Sequence, residues 1–153
     1  MQLTSVSPSL DSITLERSPC FGACPAYRLS LNRDGTVVFV SQYSGETIRD
    51  SVVPGALVWL RDEAERRELT SLPKVIMRDR ALCPTMASDS PTATVTLYWT
   101  TRRHQIIDYL GCFVGDNPST PPRLSALRRF EAAIDSVART ARRLRRRLPS
   151  PPT

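Results

Sequence analysis

The sequence predicts an α+β fold, with a single antiparallel sheet of five or six strands and two helices packed on one face. Segments in which apolar and polar residues alternate, as in half-buried strands, occur before residue 53 and again between residues 92 and 110. A segment with helical spacing follows each group, so no strand–helix–strand repeat sets up a parallel sheet. The 153 residues, 41% of them hydrophobic, suit one domain.

Four strands are predicted in the first third of the chain. Apolar and polar residues alternate in Ser12–Arg17, which predicts the first strand. They also alternate in Ala26–Asn32, where the apolar residues lie on one face of the second strand. Asp34-Gly35 predicts a hairpin turn to the partner strand Thr36–Tyr43, because glycine adopts a positive φ without strain. After a second turn, Glu46–Val52 is predicted to form the fourth strand.

A helix is predicted from Pro54 to Leu72, because proline is favoured at the first helical position and Pro73 ends the pattern. Residues 73–92 contain three prolines and have no clear periodicity, which indicates a long loop. Loops of this length are uncommon in compact domains and often carry function.

The last third of the chain predicts a hairpin and a long helix. Thr92–Thr100 and Arg103–Leu110 form the hairpin, and the loop Gly111–Pro118 follows. A helix then runs from residue 122 to about residue 148. It has a heptad seam of apolar residues, namely Leu127, Phe130, Ile134, Val137, Ala141, Leu144 and Leu148.

The positive charge is concentrated in this final segment. Arg123–Thr153 has nine arginines and two acids, a net charge of +7, whereas the preceding 122 residues have a net charge of −1. A helix of this length spans roughly 40 Å, and a six-residue strand only about 20 Å. We therefore expect the end of the helix to overhang the sheet and to bind a partner. The alternative is a solvated helix end, whose cations suit the helix dipole. The predicted partner-binding residues are Arg139, Arg142, Arg143, Leu144, Arg145, Arg146, Arg147 and Leu148.

No catalytic residue or cofactor is predicted. His104 is the one histidine, which excludes sites built from several histidines, and the sequence has no GxSxG, Walker A or GxGxxG motif. Two acids, Asp89 and Asp108, have no spacing that demands a shared site. The sequence therefore indicates a protein that is not an enzyme.

The four cysteines leave several interpretations open. Cys20 and Cys24 are interpreted as buried apolar groups or a short-loop disulfide, as ligands of a soft metal together with Cys83 or Cys112, or as a redox pair. The motif they define is predicted to be structural. Met1–Pro8 has neither a basic nor an apolar region typical of a signal peptide. We therefore expect reduced thiols and a cytoplasmic protein at the membrane surface, or a periplasmic one if a signal peptide has been removed.

The cysteine motif resembles that of a known family. Pro19–Tyr27 contains the pattern C-x-G-x-C-P-x-Y, made by Cys20, Gly22, Cys24, Pro25 and Tyr27. Together with Asp34–Val37 and Ser88–Thr92, it is similar to the bacterial domain of unknown function DUF6438 over residues 12–137. The resemblance implies a small α+β domain with no established activity, and the arginine-rich helix end departs from the family pattern.

These observations divide the chain into a loose segment 1–11, an α+β domain 12–138 and a basic extension 139–153. We expect a non-enzymatic accessory subunit that docks through its basic helix on a larger, membrane-associated protein complex, with an anionic membrane surface as a possible contact. The alternatives are a nucleic-acid-binding domain, or a thiol or metal-binding protein that uses Cys20 and Cys24. No small-molecule substrate is predicted.

Overall fold

The computed structural model describes residues 9–20, 22, 24–114 and 117–145. It confirms the predicted fold class, a single antiparallel six-stranded sheet with helices. The strands are β1 (Leu10–Arg17), β2 (Tyr27–Asn32), β3 (Thr36–Ser41), β4 (Thr47–Ser51), β5 (Thr92–Trp99) and β6 (Arg103–Tyr109). The helices are α1 (Ala56–Arg66), α2 (Pro122–Val137) and α3 (Thr140–Arg145).

The strand order is β4-β3-β2-β1-β5-β6, so the first strand of the chain lies in the middle of the sheet. β1 pairs with β2 on one side and with β5 on the other. Ile13 lies opposite both Leu31 and Leu97 in these two ladders. Because directly opposed residues point to the same face, the apolar alternation of each strand builds one continuous buried face.

The helices α1 and α2 cover this apolar face. Leu57 and Leu60 of α1, and Leu127 and Phe130 of α2, belong to the same buried core as the strands. α1 ends at Arg66, six residues earlier than predicted, and Glu68 adopts a left-handed conformation with φ 54°. A 3₁₀ helix, Leu69–Ser71, completes the connection.

The long loop after this connection is packed against the domain. Ile76 and Leu82 are buried, and an isolated parallel bridge joins Val75 to Ile107 of β6. A disulfide between Cys83 and Cys112 then ties the loop to the 3₁₀ helix Leu110–Cys112, which follows β6. The loop is therefore an ordered layer beside the sheet edge.

A second disulfide joins Cys20 to Cys24, so all four cysteines are paired. The expectation of reduced thiols is wrong. For Cys20 and Cys24, a short-loop disulfide was among the open interpretations. The pairing of Cys83 with Cys112 had no sequence signal, because it depends on how the long loop packs.

The long C-terminal helix is interrupted. α2 ends at Val137, Arg139 takes a positive φ of 56°, and α3 starts at Thr140. A left-handed residue cannot continue a right-handed helix, so the chain changes direction at this point. The predicted continuous helix from residue 122 to residue 148 is therefore corrected to two shorter helices.

None of the helices in the described part of the chain is long and apolar enough to cross a membrane.

We expect the two disulfides to contribute unequally to stability. Their cysteines are separated by 29 residues for Cys83–Cys112 and by four for Cys20–Cys24. Since closing a longer loop removes more entropy from the unfolded chain, losing the first should cost about 3.5 kcal/mol and losing the second about 2 kcal/mol. Urea unfolding of the Cys83→Ser/Cys112→Ser and Cys20→Ser/Cys24→Ser variants measures both values. A larger loss in the second variant would contradict the loop-length argument.

Candidate functional site

The basic segment, residues 139–148, is partly folded onto the domain. Arg143 is 3% exposed, donates from Nε to the carbonyl oxygen of Ala138 at 2.9 Å, and pairs through Nη1 with Asp50 of β4 at 2.8 Å. Leu144 packs against the core. The predicted overhang is therefore wrong for the start of this segment, because Arg143 finds a carboxylate on the sheet.

Two arginines of the basic segment are exposed to solvent and can contact a partner. Arg139 and Arg142 are exposed. Arg145 is the last residue of α3. The predicted contacts Arg146, Arg147 and Leu148 lie outside the described residues, so their part in docking stays a prediction.

The cysteine motif forms a short disulfide-closed loop before β2. Gly22 has a φ of 130°, a conformation that side chains with a Cβ rarely adopt. The carbonyl oxygen of Cys24 accepts a hydrogen bond from the hydroxyl of Tyr43 at 2.7 Å. The motif ends at Tyr27, the first residue of β2, whose ring stacks on Phe39 with the centroids 5.2 Å apart.

Tyr27 belongs to a group of polar side chains enclosed between the sheet and α2. Its hydroxyl donates to Asp135 Oδ1 at 2.5 Å and accepts from Arg17 Nε at 3.0 Å. Arg17 also donates through Nη2 to Asp135 Oδ2 at 2.9 Å. Burial, and then the charge of Asp135, raises the pKa of Tyr27 above its ordinary value. Tyr27 therefore stays neutral and donates to the carboxylate.

A second ion pair lies further along α2. Arg128 donates to both oxygens of Asp108, at 3.2 and 3.3 Å, and also to the carbonyl oxygen of Phe113. Asp108 is fully buried at the end of β6. This pair therefore fixes α2 to the sheet edge and to the loop that follows β6.

Glu131 lies on α2 between these two ion pairs and has a different environment. It is 2% exposed, and its Oε2 has no hydrogen-bond partner among the described residues. Burial raises the pKa of Glu131 well above its ordinary value, and the neighbouring Asp108 raises it further, which outweighs the opposing effect of Arg17 and Arg128. Glu131 is therefore held as a neutral carboxylic acid under conditions in which an exposed glutamate is ionised. The polar cluster comprises Arg17, Tyr27, Asp108, Arg128, Glu131 and Asp135.

Two adjoining cavities open above the polar cluster and together form the cleft. The first, about 320 Å³, is lined by Arg17, Ser18, Cys24, Pro25, Tyr27, Pro91, Thr92, Leu110 and Asp135. The second, about 410 Å³, is lined by Arg17, Ser90, Pro91, Leu110, Phe113, Val114, Arg128 and Glu131. About half of these lining residues are apolar, and apolar surface combined with polar groups is typical of small-ligand sites.

Sequence reasoning missed the polar cluster, although two signals were present. Arg17 and Asp108 occupy positions whose alternation assigns them to the buried face of their strands, in phase with Leu15 and Ile106. On α2, Arg128, Glu131 and Asp135 have the same 3-4 spacing as the apolar seam, displaced by one residue. A charge at a core position indicates a buried partner, but the partner is not identified by spacing.

Comparison with known proteins identifies the family of this chain. The family model described as "Domain of unknown function (DUF6438)" matches residues 11–135. No curated protein matches the chain. The matched region includes the cysteine motif and every residue of the polar cluster, and it ends before the basic segment.

The titration of Glu131 predicts how stability depends on pH. The folded protein holds this proton above the pH at which the unfolded chain loses it, near 4.5. Unfolding then releases a proton, so this group makes the free energy of unfolding fall as pH rises, by up to about 1.4 kcal/mol per pH unit. The slope starts near pH 4.5 and ends once Glu131 ionises in the folded state.

The Glu131→Gln variant should lack this contribution, because glutamine has no proton to lose. Urea unfolding between pH 4.5 and 8, compared with wild type, measures the difference in slope. Equal slopes in the two proteins would contradict the assignment of a proton to Glu131.

Proposed function

The chain belongs to the DUF6438 family, and we propose that it is a non-enzymatic accessory domain that docks on a larger, membrane-associated assembly through its basic segment. The family match ends at residue 135, so this segment is an addition to the family domain. In this proposal the basic segment contacts anionic lipid headgroups beside the assembly.

One observation carries the proposal, namely how Arg143 holds α3 against the sheet. Its ion pair with Asp50 and its hydrogen bond to Ala138 place α3 on the domain. Arg139 and Arg142 are exposed on the same short stretch. Because α3 is held in place, the backbone that carries these two arginines is already positioned, and binding has to order only their side chains.

The two disulfides support an extracytoplasmic location for this docking. Structural disulfides persist in oxidising compartments such as the periplasm and are rare in the cytosol. We infer that the domain works in such a compartment, on the membrane face exposed to it. This replaces the cytoplasmic location as the favoured one and agrees with the periplasmic alternative.

Replacing the two exposed arginines should weaken membrane binding. Each arginine near an anionic leaflet contributes about 1 kcal/mol, so Arg139→Gln/Arg142→Gln should bind roughly 30-fold more weakly, the equivalent of about 2 kcal/mol. Co-sedimentation with vesicles that contain phosphatidylglycerol, compared with vesicles of phosphatidylcholine alone, measures this. Binding should also fall as salt is raised, since the Debye length is only about 3 Å at 1 M.

A matched control removes the same charge elsewhere. Arg28 and Arg103 are exposed on strands β2 and β6, and Arg28→Gln/Arg103→Gln should bind the anionic vesicles like wild type. If both double variants lose binding equally, net charge alone explains the attraction and the docking proposal fails. It also fails if wild type binds both kinds of vesicle equally.

A further inference from the structure

We propose that the cleft binds a primary ammonium group, carried on an apolar stem, with the ammonium against the carboxyl group of Glu131. The site is separate from the basic segment and from the proposed docking. It lies within the family-matched region, between the sheet and α2.

The charges of the polar cluster indicate which ligand charge suits the site. Asp135 is paired with Arg17, and Asp108 is paired with Arg128. Glu131 is the third carboxyl group in a cluster with two guanidinium groups, and both of these pair with the other two carboxylates. A buried carboxylate without a cation or hydrogen-bond donors is costly, and Glu131 remains protonated in response.

The groups that face Glu131 favour a cation over an anion. Arg17 of β1 and Arg128 of α2 already donate to carboxylates, and Tyr27 of β2 donates to Asp135. An anionic ligand would have to compete with two internal carboxylates for the guanidinium groups. An ammonium group instead can pair with the carboxyl group of Glu131, which lines the cavity, whose Oε2 has no hydrogen-bond partner among the described residues, and which interacts with the carboxylate of Asp108 on β6.

The walls of the cleft indicate the rest of the ligand. Beside Glu131, the 410 Å³ cavity is lined by Pro91, Leu110, Phe113 and Val114. Val114 is 64% exposed, so its side chain is accessible to a ligand. An alkyl stem can cover these side chains, while its charged end reaches the carboxyl group. Two kinds of ligand carry an ammonium group on an apolar stem, namely a small free amine and a lysine side chain of another protein.

Binding exchanges one proton for one ammonium ion. The carboxylic acid of Glu131 releases its proton to solvent, and the carboxylate formed accepts hydrogen bonds from the ammonium group, with no other bond made or broken. At pH values at which the ligand-free protein still holds a proton on Glu131, binding should therefore release up to one proton and tighten by up to tenfold per pH unit.

Isothermal titration calorimetry of the full chain tests this with n-butylammonium chloride as the probe. Titration in two buffers of different ionisation enthalpy gives the number of protons released. n-Butanol and pentanoate, with the same butyl stem, serve as neutral and anionic controls. We expect butylammonium to bind at least tenfold more tightly than either control, with proton release. Equal binding of butanol, no detectable butylammonium binding, or binding without proton release would overturn the proposal.

The variant Glu131→Gln should bind butylammonium at least tenfold more weakly and release no proton. The control Glu65→Gln makes the same change at an exposed position of α1 and should bind like wild type. Undiminished binding by Glu131→Gln would overturn the proposal. If that variant does not fold, the proton count and pH dependence of the wild-type chain decide the question.

Nα-acetyl-lysine amide distinguishes the two sources. Binding at least as tight as that of butylammonium identifies a lysine side chain, whereas weaker binding identifies a small free amine. The docking variant Arg139→Gln/Arg142→Gln should bind butylammonium like wild type. Loss of docking and loss of amine binding are therefore separate results.

Discussion

Charged side chains on the buried side of α2 determine how this helix lies on the sheet. Arg128 and Asp135 face the sheet beside apolar residues, and a buried charge is tolerated only when it is paired and hydrogen-bonded. The strands supply these partners at one end of the sheet, namely Asp108 from β6, and Arg17 with Tyr27 from β1 and β2. The two ion pairs therefore add to the packing of the apolar seam, because each joins α2 to a particular strand.

The ion pairs of α2 and the two disulfides also hold the loops around the cleft. The Cys20–Cys24 loop leads directly to Pro25 and Tyr27, which line one cavity. The Cys83–Cys112 disulfide lies next to Phe113, which lines the other and accepts a hydrogen bond from Arg128. Each covalent link therefore fixes a wall of the cleft, and the stabilising elements of the domain are concentrated around one end of the sheet.

The fold was predictable from the sequence because each element has a local signal. Alternation identified the strands, and the turn at Asp34-Gly35 was correctly predicted, with Gly35 at a φ of 86°. The polar cluster was not predictable, because Arg17 and Asp135 are 118 residues apart and meet only through the strand order and the position of α2. The end of α2 was also not predicted, because the heptad pattern continues past Ala138. The break depends on a distant contact, the ion pair of Arg143 with Asp50 on β4.

The central place of β1 has a consequence for how the chain is made. As synthesis proceeds from the N-terminus, β1 can pair with β2 at once, but its other edge is completed only when Ala93–Trp99 of β5 has emerged. Until then one edge of the central strand exposes backbone groups that pair readily with other chains. Pairing over such a long sequence separation is slow compared with local hairpin formation. A nascent chain that ends before β5 is therefore the form of this protein most exposed to aggregation.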